Sequence, residues 1–114
     1  MEVELRTLER LLRDYKYYAQ ANAIEDLLEL RAAGDEAGFR REVVGVTIWG
    51  GSGSVADADL RNHTGPEHPT AREDARAHDR ALVALAEALD SAGLGTPRTR
   101  QVAATYREWL NAGI

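Results

Sequence analysis

VVGVTIWGGSGSVAD, residues 43–57, decides how this chain folds. Val43, Val44, Val46, Thr47, Ile48 and Trp49 are β-branched or aromatic, a composition that suits a buried strand. A lone strand cannot pair its backbone groups, and no other segment reads as its partner. The stretch is therefore read as the end of a helix that Asp35 caps and that runs from Glu36 to Ile48, with Phe39, Val43 and Val46 or Thr47 on one face. The alternative is an α+β fold with a strand at about 43–49.

Beyond Trp49, Gly50, Gly51 and Gly53 precede Ser54-Val55-Ala56-Asp57, the pattern of a capping box. A short helix from Ser54 to about Arg61 is expected. Glycines feeding a helix N-terminus can cradle a phosphate, and Ser52 and Ser54 would add hydroxyls. No lysine follows the glycines, however, and Asp57 and Asp59 would repel an anion. The glycines are better read as a tight corner between helices, with Trp49 packed against the bundle.

On the N-terminal side, Leu5, Leu8, Leu12, Tyr15 and Ala19 recur at three- and four-residue steps, with Leu11 and Tyr18 widening the stripe. They predict a helix from about Val3 to Ala19 that leaves Tyr17 exposed. A second helix is expected from about Asn22 to Ala33, with Gly34 as its C-terminal cap. On the C-terminal side, residues 62–69 are punctuated by Gly65, Pro66 and Pro69 and read as an irregular connection. Thr70 to Glu73 form a second capping box, opening a helix from Ala71 to about Ser91 with Ala75, His78, Leu82, Leu85 and Leu89 along one side. Thr96 and Pro97 start the last helix, whose inner face is Val102, Tyr106, Trp109 and Leu110. The sum is an all-α fold: one helical domain over residues 1–114, a compact bundle of four main helices and one short one.

The 114 residues suffice for one hydrophobic core. There is no cysteine, so disulfides, thiolate metal sites and cysteine nucleophiles are excluded. No apolar run approaches membrane-spanning length, which makes a cytoplasmic protein the expectation. The net charge is −5 and all of it falls in residues 1–60; residues 61–114 are balanced. An acidic surface disfavours nucleic acid and favours a basic partner. All bases but Lys16 are arginine, which together with the many alanines suggests a GC-rich bacterial genome.

The segment from Ile48 through Trp49, Gly50, Gly51, Ser52, Gly53, Ser54 and Val55 to Asp57 resembles one found in small bacterial helical proteins. In those, a helical hairpin precedes an aromatic-Gly-Gly-x-Gly-Ser-x-x-Asp corner. The resemblance covers about residues 5–60. It implies a helical fold and no established activity, and some proteins of this kind look like immunity partners of bacterial toxins. Positions that would matter to a partner are Tyr17, Trp49, Gly50, Gly51, Gly53, Ser54, Asp57 and Asp59.

Three function classes follow. The first is a protein-binding module, in its sharpest form an immunity or antitoxin protein, that docks a partner through its acidic N-terminal half. The second is a small metal-dependent enzyme or metal-binding protein using His63, His68, His78 and Asp74, since imidazole and carboxylate one helical turn apart can share a metal. More simply, His78 is a satisfied core histidine bonded to Asp74 or to backbone. The third is a homodimer formed through the alanine-rich stripe of helix 71–91. Asp57 and Asp59, two apart on a helix, would point in different directions and make a poor acid–base pair. No cofactor motif is present.

Overall fold

A computed structural model describes all 114 residues. Six helices follow in order: α1 (Glu2–Asp14), α2 (Tyr18–Ala32), α3 (Glu36–Val43), α4 (Val46–Trp49, a single turn), α5 (Ala71–Ser91) and α6 (Pro97–Asn111). There is no strand, so the helical reading of residues 43–49 holds and the α+β alternative falls. No helix is long and apolar enough to cross a membrane.

Helix α1 buries Leu5, Leu8, Leu11 and Leu12 as its spacing dictates, but it stops at Asp14 rather than Ala19. Lys16 takes a left-handed conformation at φ 63°. The Tyr17 amide then donates to Leu12 O at 2.8 Å and the Lys16 amide to Arg13 O at 3.0 Å. This is the Schellman closure that glycine usually makes. Helices α2, α5 and α6 end the same way at Gly34, Gly93 and Gly113. The early stop turns the next residues about. Tyr18, expected on the buried stripe, is 55% exposed, and Tyr17, expected outside, is half-buried against the core.

Helix α3 starts where predicted, with the Asp35 carboxylate accepting from the Gly38 amide at 2.9 Å. It breaks at Val44–Gly45 instead of reaching Ile48, and Gly45 adopts an extended conformation before α4. The break lets one short stretch face two ways: Val46 is 81% exposed, whereas Ile48 and Trp49 are buried. The short helix expected at 54–61 does not form. Ser54 Oγ does accept from the Asp57 amide at 3.2 Å, but no bond returns from the Asp57 side chain, and the hydroxyl itself donates to Gly50 O.

Helices α1 and α2 form one hairpin and α5 and α6 another, joined where α1 packs on α5. The main core cluster unites Leu5, Leu8, Ile24, Trp49, Leu82 and Leu85 with their neighbours. A smaller one gathers Leu11, Tyr15, Leu60, Ala71 and Ala75. The alanine stripe proposed for a second copy is occupied within the chain, since Ala71, Ala75, Ala81 and Ala86 are all buried.

The ends of the corner, Trp49 and Ser54 to Ala56, lie inside this assembly, and Gly51 to Gly53 form its exposed tip. Trp49 is 0% exposed and its indole Nε1 donates to Val43 O at 2.7 Å. The amides of Val55 and Ala56 donate to Thr47 O and Ile48 O at 3.1 and 2.9 Å. A Cβ at Gly50 would stand 2.5 Å from Val46 O, whereas one at Gly51 would meet nothing within 4 Å. Gly50→Ala should therefore cost about 1–3 kcal/mol of stability through overpacking, and Gly51→Ala should stay within about 0.5 kcal/mol of the parent. Urea denaturation of both variants checks this; equal losses would contradict the packing described for the corner.

Candidate functional site

A buried corner carries backbone carbonyls that water cannot reach, so the chain must supply donors. It draws them from two helices. From α5, His78 Nε2 donates to Val55 O at 3.0 Å. From α6, the Tyr106 hydroxyl donates to Ala56 O and Arg98 Nε to Trp49 O at 2.9 Å. At the exposed tip of the corner, Gln20 Nε2 of α2 donates to Gly53 O at 3.1 Å. His78 is a satisfied core histidine, as its place on the apolar stripe suggested, but its carboxylate neighbour is Asp79 and not Asp74. Its Nδ1 lies 3.2 Å from Asp79 Oδ1.

Asp79 is 2% exposed, and a buried carboxylate is costly unless it is paired and hydrogen-bonded. Arg61 Nη2 donates to Asp79 Oδ2 at 2.9 Å. The Arg61 guanidinium also sits 5.6 Å from the Trp109 ring centroid, and Trp109 meets Tyr106 edge to face at 5.1 Å.

This polar floor underlies a cleft of about 620 Å³, lined among others by Asp57, Asp59, Arg61, Asp79, Tyr106 and Trp109. A smaller space of about 190 Å³ shares Asp57, Tyr106 and Trp109 with it and continues past Gly50 and Gly51 to Arg98. The two form one groove along α6. Asp57 and Asp59 both line the cleft because no helix forms beneath them. Residues 58–60 have no helical or turn structure, and exposure alternates: Asp57 and Asp59 face out, Ala58 is half-buried and Leu60 buried. Both carboxylates line the same cleft, Asp57 at the end of a turn, its amide donating to Ser54 O, and Asp59 in the irregular stretch that follows. The expectation that they diverge, which assumed a helix, is thereby corrected.

The other residues singled out from sequence lie elsewhere. Trp49 and Ser54 are buried and Gly53 is exposed, so the first two serve the corner and offer no surface. Tyr17 OH lies 3.0 Å from His63 Nε2 and bonds the backbone of Asp59, which fixes the acidic segment from behind. His63 and His68 sit together over α1, with His68 stacked on Tyr15 at 4.0 Å and the two imidazole centroids 6.0 Å apart. Asp74 accepts from the Tyr15 hydroxyl at 2.6 Å and from Thr70 Oγ1 at 3.0 Å. The proposed metal set is thus divided: His63 and His68 line one pocket, His78 the cleft. No three carboxylate or imidazole groups converge to hold an ion. Arg61, Asp79 and Tyr106 were not singled out as site residues. Asp79 adjoins the buried stripe at His78, a position where a carboxylate needs a partner, and that was the available signal.

Burial pushes the Tyr106 hydroxyl up to about 12, with the charges of Asp79 and Asp57 adding to the shift. Burial likewise raises Tyr15, helped by its bond to Asp74. Between about pH 10, the ordinary tyrosine value, and about 12, the unfolded chain releases the Tyr106 proton while the folded chain keeps it. Stability is therefore full below pH 10 and falls as pH rises through this window. Tyr106→Phe should lose about 1–3 kcal/mol at pH 8, because Ala56 O is left without a donor, and its stability should fall less steeply above pH 10. Urea midpoints measured from pH 8 to 12 check this, and an unchanged alkaline slope would contradict it.

No family model, curated protein or solved structure matches the chain.

Proposed function

We propose that this chain is a protein-binding module that docks a partner through the groove between the corner and α6. The observation that carries the reading is Trp109: a large aromatic, 37% exposed, in the wall of a cleft whose rim bears Asp57 and Asp59. Exposed tryptophans set in pockets dominate interface energetics. The acids come from the N-terminal half, as the charge asymmetry suggested, and the aromatic wall comes from the C-terminal half. The partner is a protein with a basic surface, and a cytoplasmic bacterial setting follows from composition. An immunity or antitoxin role is the sharpest form of the reading, supported by small size, acidic balance and the likeness carried by residues 48–57. No catalytic role is assigned to the groove.

The product of an adjacent reading frame, co-expressed with this protein, should co-elute with it on size exclusion at low salt. Trp109→Ala should weaken that complex by about 10- to 100-fold, the range expected of a central aromatic. Failure of every adjacent product to bind at low salt would remove the basis for the reading.

A further inference from the structure

The groove has a charge pattern that selects one kind of side chain. Asp57 and Asp59 take part in none of the ion pairs within the chain. Asp59 accepts only from the Asn62 amide, and the Asp57 carboxylate has no hydrogen-bond partner. The one cation in the cleft, Arg61, is neutralised by Asp79 at 2.9 Å. The rim of the larger cleft therefore keeps two carboxylates outside any ion pair, and Arg98, the cation of the adjoining space, pairs with neither of them. Elsewhere in the acidic half, Glu2, Glu9, Glu25, Glu36 and Glu42 each pair with an arginine, and the acids that, like Asp57 and Asp59, have no ion pair, Asp14, Asp26, Glu29 and Asp35, do not line this cleft.

We propose that the cleft receives an arginine side chain presented by an extended basic segment of the partner protein. This rests on the protein-binding reading and names what that site recognises. Asp57 and Asp59 line the same cleft, and residues two apart in a chain stand no more than about 7 Å apart along it, at 3.3–3.4 Å per residue. A planar guanidinium with five donors can span such a pair, whereas a lysine ammonium is a point charge. The aromatic wall adds to this, since guanidinium groups stack on indole rings. The chain already makes this contact once, with Arg61 held between Asp79 and Trp109. The cleft, about 620 Å³, lies within the range of ligand-binding pockets, roughly 300–1,000 Å³, and so admits the side chain with its neighbouring backbone. The adjoining space offers Arg98, Gln101 and Gly51 as donors for the carbonyls of the continuing segment.

The probe is a blocked peptide with one central arginine and neutral flanks, compared with the same peptide carrying citrulline, a neutral isostere. Trp109 fluorescence reports binding, because Trp49 is fully buried, and amide NMR shifts locate it. The arginine peptide should bind at least about tenfold more tightly than the citrulline peptide, and the doubly substituted Asp57→Asn, Asp59→Asn protein should lose about the same factor, the size of one charge-pair difference. Shifts should concentrate at residues 57–61 and 105–109. Both acids are exposed and unpaired, so the variant keeps its fold, which an unchanged urea midpoint verifies. Equal binding of the two peptides, no binding of either, or shifts confined to another face would overturn the proposal. The outcomes separate from those of the module reading. If an adjacent product binds and its complex survives the Asn substitutions, the module stands and the arginine site falls. If the arginine peptide binds and no adjacent product does, the site stands and the choice of partner falls.

Discussion

The fold depends on a buried reversal of chain. The chain is buried at Trp49, surfaces at Gly51–Gly53 and is buried again at Ser54–Ala56, so the backbone groups at the two ends of the reversal must find partners inside. Two amides, those of Val55 and Ala56, return to carbonyls of α4. Three buried or half-buried carbonyls are met by side chains of α5 and α6: His78, Tyr106 and Arg98. These bonds tie the corner and α4 to the α5–α6 hairpin, while α4 packs on α2 of the other hairpin. Apolar packing alone would allow the corner to slide on α5 and α6, whereas directional bonds from a histidine and a tyrosine fix its register.

The groove is a product of the same constraint. Because the corner spends Ser54 and its glycines on the reversal, the chain leaves it through a turn at Ala56–Asp57 and an irregular stretch, not a helix. Asp57 and Asp59 then line the cleft, while Ala58 and Leu60 turn inward. Tyr106, in reaching Ala56 O, brings α6 against this segment, and Trp109 follows one turn later at the open end. Asp79, needed beneath, is stabilised by the Arg61 guanidinium. The surface that carries charge and the interior that carries the fold are thus made from adjacent residues of one stretch.

Much of this was legible in the sequence, and the exceptions share a cause. Helix ends marked by Gly34, Gly93 and the Thr96–Pro97 pair were readable because each residue has a narrow conformational role. The end of α1 was not, since a lysine occupies the left-handed position and nothing in local propensity predicts that. That one substitution reversed the reading of Tyr17 and Tyr18. The break at Gly45 was hidden because Val43 to Trp49 is apolar throughout and shows no usable period. The Ser-x-x-Asp motif at 54–57 formed only half of its box, as tertiary bonds from α5 and α6 outweighed local capping. The candidate site was legible in part. Asp57 and Asp59 drew attention as single residues and Trp109 only as part of the inner face of α6, yet their convergence, and the roles of Arg61 and Asp79, depend on contacts between segments far apart in sequence.

Hydrogen exchange at the amides of Val55 and Ala56 tests the buried corner most directly. If these bonds to Thr47 O and Ile48 O are integral to the core, both amides should exchange only on global unfolding, as slowly as those of Leu82 and Leu85 in α5. Exchange at the rate of an exposed loop, with α5 still protected, would show that the hairpins are held together without the corner and would contradict this account.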